Sequence, residues 1–258
     1  MSETLNFPRD VERRKYFVQE SVEHPAKLEI RTYRWLVEKY TKPGHIILDP
    51  MSGIGTVHLA ALMDRHTTGI EISDRFVEIQ QQNIEKLKGL GATGTMSLVQ
   101  MDCRRFLPLA KGSIDAIIFS PPYGAVQKAS GTTSQFLEDK RIKVGYDEQI
   151  ANIGNITVYP LYLSAMKQVY KLCADSLSHG QIFILVTKDF LKSGERIWLS
   201  RDTIRICMEV GFSLLDWHLR YTDPRLFQIT AKAGREAKGK DKPYLNISYE
   251  DLLVFQKE

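Results

Sequence analysis

The chain has only three cysteines, Cys103, Cys173 and Cys207, and their spacing fits neither a metal site nor a disulfide framework. Three reduced thiols in a cytosolic protein, with no bound metal, are therefore expected. No stretch approaches the ~18 consecutive apolar residues of a membrane span. No N-terminal apolar run resembles a signal peptide. The expectation is a cytoplasmic protein that makes no membrane contact. Internal repeats and low-complexity segments are also missing. Charge of one sign is not in large excess: the net charge is +4 and the pI about 8.8. That balance permits a polyanionic partner without requiring one.

What is present is a chain of 258 residues, 43% of them hydrophobic, enough for one sizeable α/β core. We read a single domain over 1–258 with an N-terminal arm at 1–22. Helix-like apolar spacing runs through 26–41 and ends at Pro43-Gly44. Strands are expected at 45–49, 67–71, 97–100 and 116–119, with helices at 55–64 and 75–88 between them. The second half continues with helices at 159–177 and 201–210 and strands at 181–186, 213–221 and 252–256. Strands alternating with helices indicate βαβ units and a Rossmann-like, mostly parallel sheet with helices on both faces. The final pair of strands lacks a helix between them, which points to an antiparallel last strand. Two stretches, 124–158 and 223–244, resist regular assignment, and loops that long are usually functional or disordered.

Chemistry gathers at the ends of these strands. Asp49-Pro50-Met51-Ser52-Gly53-Ile54-Gly55-Thr56 is a glycine turn between a strand and a helix. Glycine lets backbone approach a ligand where a Cβ would obstruct it. The helix start beyond it offers N–H groups and a positive dipole end to a carboxylate. Glu71 ends the next strand, where a carboxylate can accept both hydroxyls of a ribose. Asp102 follows the third strand, placed to read an adenine amino group directly or through its amide neighbour. A nicotinamide-binding turn would need a third glycine where His58 stands.

Ser120-Pro121-Pro122-Tyr123 follows the fourth of these strands. Two prolines remove two N–H donors and stiffen the backbone. Carbonyl oxygens and the Ser120 hydroxyl are left to hold the hydrogens of an exocyclic amine. Tyr123 offers a flat face to an unpaired or flipped base.

The ordered set of His24-Pro25-Ala26-Lys27, 48–56, Glu71, Asp102 and 120–123 resembles the S-adenosylmethionine-dependent amino-methyltransferases of nucleic acids, the N4-cytosine and N6-adenine group. The resemblance covers about residues 22–258 and includes compact archaeal-type enzymes that make N4-methylated cytidine in ribosomal RNA. It implies cofactor contacts from His24, Pro25, Asp49, Pro50, Met51, Gly53, Gly55, Thr56, Glu71, Ile72, Asp102 and Cys103. It implies that Ser120, Pro121, Pro122 and Tyr123 bind the target amine. Serine in the first position of that motif leans towards N4 of cytosine. N6-adenine and N2-guanosine methyltransferases, with related motifs, are the alternatives, and a non-catalytic nucleic-acid binder is the rival of another class.

The implied reaction is in-line attack by the amine on a sulfonium methyl, with no cysteine nucleophile. Structured RNA is slightly favoured over DNA, because the chain leaves little length for a separate target-recognition segment. Arg225, Lys232, Arg235, Lys238 and Lys240 concentrate positive charge in the second unassigned stretch and are the candidate phosphate contacts.

Overall fold

A computed structural model of the chain describes residues 2–24, 27–122, 151–192, 195–222 and 247–258. Its main sheet has eight strands: β1 (Thr4–Leu5), β2 (Ile46–Asp49), β3 (His66–Glu71), β4 (Met96–Gln100), β5 (Ile114–Phe119), β6 (Leu177–Thr187), β9 (Phe212–Tyr221) and β10 (Tyr249–Lys257). They lie in the order β1-β9-β10-β6-β5-β2-β3-β4. Strands β2 to β6 are mutually parallel, and β10 runs antiparallel to both neighbours, β6 and β9. The expected mostly parallel sheet with an antiparallel last strand is what forms.

Period-two alternation sorts the core into two layers. Ile47, Ala116, Ile118, Ile184, Val186, Leu252 and Val254 face one side. There they meet Tyr33, Leu36 and Val37 of helix α2 (Ile30–Tyr40) and Val57, Leu59 and Ala60 of the 3-10 helix Thr56–Met63. Leu48, Ile117, Phe119, Phe183, Leu185, Leu253 and Phe255 face the other side. They pack on Met166, Val169 and Tyr170 of α5 (Tyr159–Ser176) and Ile206 and Cys207 of α6 (Leu199–Glu209). A buried Leu, Ile, Val or Phe contributes about 1.5–3 kcal/mol, so both layers are needed for a stable sheet. Helix α3 (Asp74–Gly89) and the short helices α1 (Arg13–Tyr16) and α4 (Cys103–Phe106) complete the α-helices among the described residues.

Three features depart from expectation. Thr4–Leu5, within the expected N-terminal arm, pair in parallel with Leu219 and Arg220 at the edge of the sheet. The Glu3 amide donating to His218 Nδ1 (2.9 Å) and Arg220 donating to the Phe7 carbonyl (2.9 Å) hold them there. The expected helix at 55–64 is a 3-10 helix, bounded by left-handed residues Gly55 (φ 82°) and Asp64 (φ 62°). A small hairpin, β7 (Phe190–Lys192) with β8 (Glu195–Ile197), fills a stretch with no expected element. The three cysteines are free and buried. No helix among the described residues is long and apolar enough to cross a membrane.

Candidate active site

The strand order reverses between β2 and β5, and ligands in open α/β sheets bind outside the carboxyl ends of strands at such a point. A cleft of about 900 Å³, counting solvent at its mouth, opens there. Four strands deliver chemistry to it in turn. Asp49 ends β2, Glu71 ends β3, Asp102 follows β4 and Ser120 follows β5. All four line the cleft.

The glycine turn is held from behind. Gly53 has φ 51°, and a Cβ on it would stand 2.7 Å from His24 Nε2. His24 lies against Phe76, with ring centroids 4.5 Å apart. Gln80 of α3 donates to Ser52 Oγ and to the Gly53 carbonyl, both at 3.0 Å. One turn on, Asn83 donates to the Ile54 carbonyl at 2.8 Å. Gln80 Oε1 faces His58 Nε2 at 2.8 Å, and His58 Nδ1 faces Thr67 Oγ1 at 2.8 Å. Gln80 uses its amide protons on Ser52 and Gly53, so the ring must donate from Nε2. Complete burial pushes His58 down to about 4, and the ring is neutral. This network exists because residue 69 is glycine: a Cβ there would lie 2.3 Å from Gln80 Oε1.

Glu71 is buried and accepts three backbone N–H groups, from Gly53 at 2.7 Å and from Ile72 and Ser73 at 2.9 Å. Its orientation is fixed before any ligand arrives. Asp49 accepts the Met51 N–H at 2.9 Å. Burial, reinforced by the nearby Glu71 charge, nevertheless pushes it up to about 8. Asp102 caps α4 by accepting the Arg104 N–H at 2.9 Å, and the Arg104 guanidinium grips both its oxygens. Burial acts to raise the Asp102 carboxyl, but the Arg104 contacts outweigh it and hold the group low. Cys103 is also in the cleft, where burial pushes its thiol up to about 12.

Most of the site residues expected from the sequence meet here: His24, Asp49, Pro50, Met51, Gly53, Thr56, Glu71, Ile72, Asp102, Cys103, Ser120 and Pro122 all line the cleft. Gly55 and Pro121 do not. Gly55 turns the chain behind the cleft, against Gln80, and Pro121 is buried beside β5. Pro25, Tyr123 and the basic set Arg225, Lys232, Arg235, Lys238 and Lys240 lie outside the described residues. Other lining residues carried no assigned role in the sequence. Lys27 is the main one: its Nζ donates to the His24 carbonyl, and burial, aided by the Arg13 charge, pushes it down to about 8. Its place in His24-Pro25-Ala26-Lys27 was the available signal. Asn152 also lines the cleft, and Arg104 holds the neighbouring Ala151 carbonyl at 3.1 Å. Among the described residues no group of His, Cys, Asp and Glu could hold a metal ion.

A solved methyltransferase structure from Streptococcus mutans, in complex with SAH, aligns with 90% of this chain and 99% of its own, at 12% identity and a TM-score of 0.50. The fold is that of the S-adenosylmethionine-dependent methyltransferases. The cofactor supported for this fold is S-adenosylmethionine. The DNA methylase family model of the N6/N4 type matches residues 6–82, less than a third of the chain. A ribosomal RNA large subunit methyltransferase K/L of Magnetococcus marinus is 25% identical over 127 residues, 49% of this chain and 17% of that protein. YubD of Escherichia coli, named as a methylase, is 34% identical over 62 residues, 24% of this chain and 27% of that one. The aligned part therefore spans about a quarter or less of the length of these curated relatives.

Proposed function

We propose that the chain transfers a methyl group from S-adenosylmethionine to an exocyclic amino group of a nucleic-acid base, N4 of cytosine first among them. The observation that carries this reading is convergence. Ser120 and Pro122 leave β5 into the same cleft that holds Asp49, Gly53, Glu71 and Asp102. The matches to a DNA methylase model and to a ribosomal RNA methyltransferase point to the same substrate class.

The cleft suits the cofactor chemically. Asp49 is a buried carboxylate that burial alone would keep protonated, and a cationic ligand beside it would favour its ionised form. Glu71 stands at the strand end expected to meet a ribose, and Asp102 and its neighbours Met101 and Cys103 where the adenine would lie. His24, Lys27 and Thr56, at the start of Thr56–Met63, also line the cleft and are suited to a carboxylate. When bound, S-adenosylmethionine supplies an electrophilic methyl on a positively charged sulfur.

The protein's own part is positioning and polarisation. The Ser120 hydroxyl and the carbonyls of the Pro-Pro segment accept the amine hydrogens, which turns the nitrogen lone pair out of conjugation and towards the methyl. Tyr123 stacks on the base. The amine proton would pass to an acceptor of the motif or to water, and bound S-adenosylmethionine would supply the methyl, its departing sulfur keeping the C–S electron pair. Attack through a ring carbon would need a thiolate. Cys103 is unsuited to that role, because its thiol is held protonated up to about pH 12.

Structured RNA is the favoured substrate. DNA is the second reading, on the strength of the matching DNA methylase model. Calorimetry with S-adenosylhomocysteine and transfer of a labelled methyl to bulk RNA and DNA test the proposal. Ser120→Ala and Tyr123→Ala are expected to keep folding and cofactor affinity and to lose most transfer. Wild-type rates in both variants would remove the motif from the reaction.

A further inference from the structure

Beyond the cleft, the chain leaves β6 at Thr187 and enters the β7–β8 hairpin, on the same carboxyl edge of the sheet as the Ser120 motif. Phe119 of β5 is the direct neighbour of Leu185 of β6, so the hairpin rises beside the proposed amine site. Trp198 follows this hairpin directly and remains 41% exposed. Two guanidinium groups lie over its indole, Arg196 at 3.8 Å and Arg201 at 4.1 Å from the ring centroid.

This group is built rather than casual. Asp189, 1% exposed, accepts from Arg196 Nε (3.0 Å) and Nη2 (2.8 Å) with one oxygen. Its other oxygen accepts the Ser200 N–H (2.9 Å) and hydroxyl (2.8 Å) at the first turn of α6. One buried carboxylate thus fixes both the arginine below the indole and the helix beside it. Phe190 packs edge-on to Tyr159 (5.9 Å), whose hydroxyl donates to Asp202 at 2.8 Å, and this ties the hairpin to α5 and α6.

The charges nearby are unequal. Asp189 is spent on Arg196, and Asp202 on Tyr159 and Arg205. Glu195 is the remaining exposed acid of the hairpin. Against it stand the exposed Lys192 and Arg201, and Arg201 has no carboxylate partner among the described residues. A flat π-surface flanked by guanidinium planes and surplus positive charge matches a base with its phosphate, whereas an apolar protein surface would leave Arg201 and Lys192 desolvated.

We propose that Trp198, backed by the Asp189-held Arg196, is a stacking platform for an unpaired nucleotide next to the target base: Arg201, held by no carboxylate among the described residues, gives up its face of the indole to the base and meets the phosphate. The proposal rests on the nucleic-acid reading above. A neighbour stacked on Trp198 cannot re-pair, and this helps to hold the target base out of its helix.

The test is fluorescence anisotropy with labelled single-stranded RNA and DNA 12-mers, on wild type, Trp198→Leu, Trp198→Phe and Arg201→Ala. Trp198→Leu is expected to weaken binding about ten-fold or more, the range for loss of one base–aromatic stack. Trp198→Phe should restore most of it. Arg201→Ala should lower the slope of log affinity against log salt by about 0.7, one phosphate on a single strand. S-adenosylhomocysteine affinity and Tm should stay at wild-type values in Arg201→Ala and Trp198→Phe, whereas a purely structural Trp198 would move Tm and leave binding alone. If Trp198→Leu fails to fold, Arg201→Ala decides through the salt slope. Wild-type affinity and slope across the folded variants would overturn the platform while leaving the transferase reading standing. Binding that depends on Trp198, with no methyl transfer to any RNA or DNA, would overturn the transferase reading and leave the platform.

Discussion

Gly69 sits in the middle of β3, where a side chain would ordinarily be welcome, and its replacement by alanine tests how the glycine turn is supported. The added methyl would lie 2.3 Å from Gln80 Oε1, 2.9 Å from Ser52 Oγ and 3.1 Å from His58 Nε2. Gln80 has to leave, and it takes with it hydrogen bonds to Ser52, to the Gly53 carbonyl and to His58. All of these groups are buried. An unmade buried hydrogen bond costs about 1–3 kcal/mol. Allowing for partial relaxation, Gly69→Ala should lose about 3–5 kcal/mol, a large part of the ~5–15 kcal/mol that stabilises a domain. At about 2–4 °C per kcal/mol for a chain of this size, Tm should fall by roughly 6–20 °C. Gly53 loses its clamp, so S-adenosylhomocysteine should bind at least about ten-fold more weakly by calorimetry. Gly89 near the end of α3 has nothing within 4 Å of a Cβ, and Gly89→Ala should be neutral or slightly stabilising. In Gly69→Ala/Gln80→Ala the clashing amide is gone, and the losses should fall short of additive by about 2 kcal/mol. A Gly69→Ala protein within about 0.5 kcal/mol of wild type, or strict additivity in the double variant, would refute the reasoning.

Two further outcomes follow from the charged and titratable groups. An unfolded histidine takes up its proton near pH 6.5 and buried His58 only near 4, so this residue's contribution is complete above about pH 6.5 and fades as pH falls towards 4. Asp49, pushed up to about 8 by burial, acts in the opposite direction as pH rises, so the His58 part is read by difference. The stability gap between wild type and His58→Gln should narrow by about 2–3 kcal/mol between pH 7.5 and 4.5 in urea titrations; a constant gap would show that His58 is not buried neutral. Replacing Arg235, Lys238 and Lys240 together with alanine should flatten the salt dependence of substrate binding by up to about two units and leave cofactor affinity unchanged. An unaltered slope would place the phosphate contacts elsewhere, such as Lys128, Lys140, Arg141 and Lys143.

The parts legible in the sequence were those with a strong period or a stiff backbone. Ile46–Asp49, Ile114–Phe119 and the apolar core of Leu177–Thr187 are short apolar runs of the kind that suits a strand buried on both faces. The glycine turn and the Ser-Pro-Pro segment announce sharp turns at strand ends, so the cleft could be sketched from them. Strands of two or three residues, such as Thr4–Leu5 and the β7–β8 hairpin, are too short to show any period. Gln80 and Asn83 are polar residues of α3, yet both are 0% exposed. Their i,i+3 spacing matters only because the turn at Ser52–Ile54 crosses their face of the helix, a tertiary fact that no local pattern carries. Lys27 and Arg13 were hidden for the same reason: each is a long cationic side chain whose burial depends on what folds over it.

The central claim is that the methyl goes to an exocyclic nitrogen. The most direct measurement is mass spectrometry of nucleosides released from RNA and DNA after incubation with this protein and S-adenosylmethionine carrying a deuterated methyl. The account predicts a labelled N4-methylcytidine or its deoxy counterpart, lost in Ser120→Ala. Label on C5 of the pyrimidine, or no labelled nucleoside from either nucleic acid while S-adenosylhomocysteine binds, would contradict it.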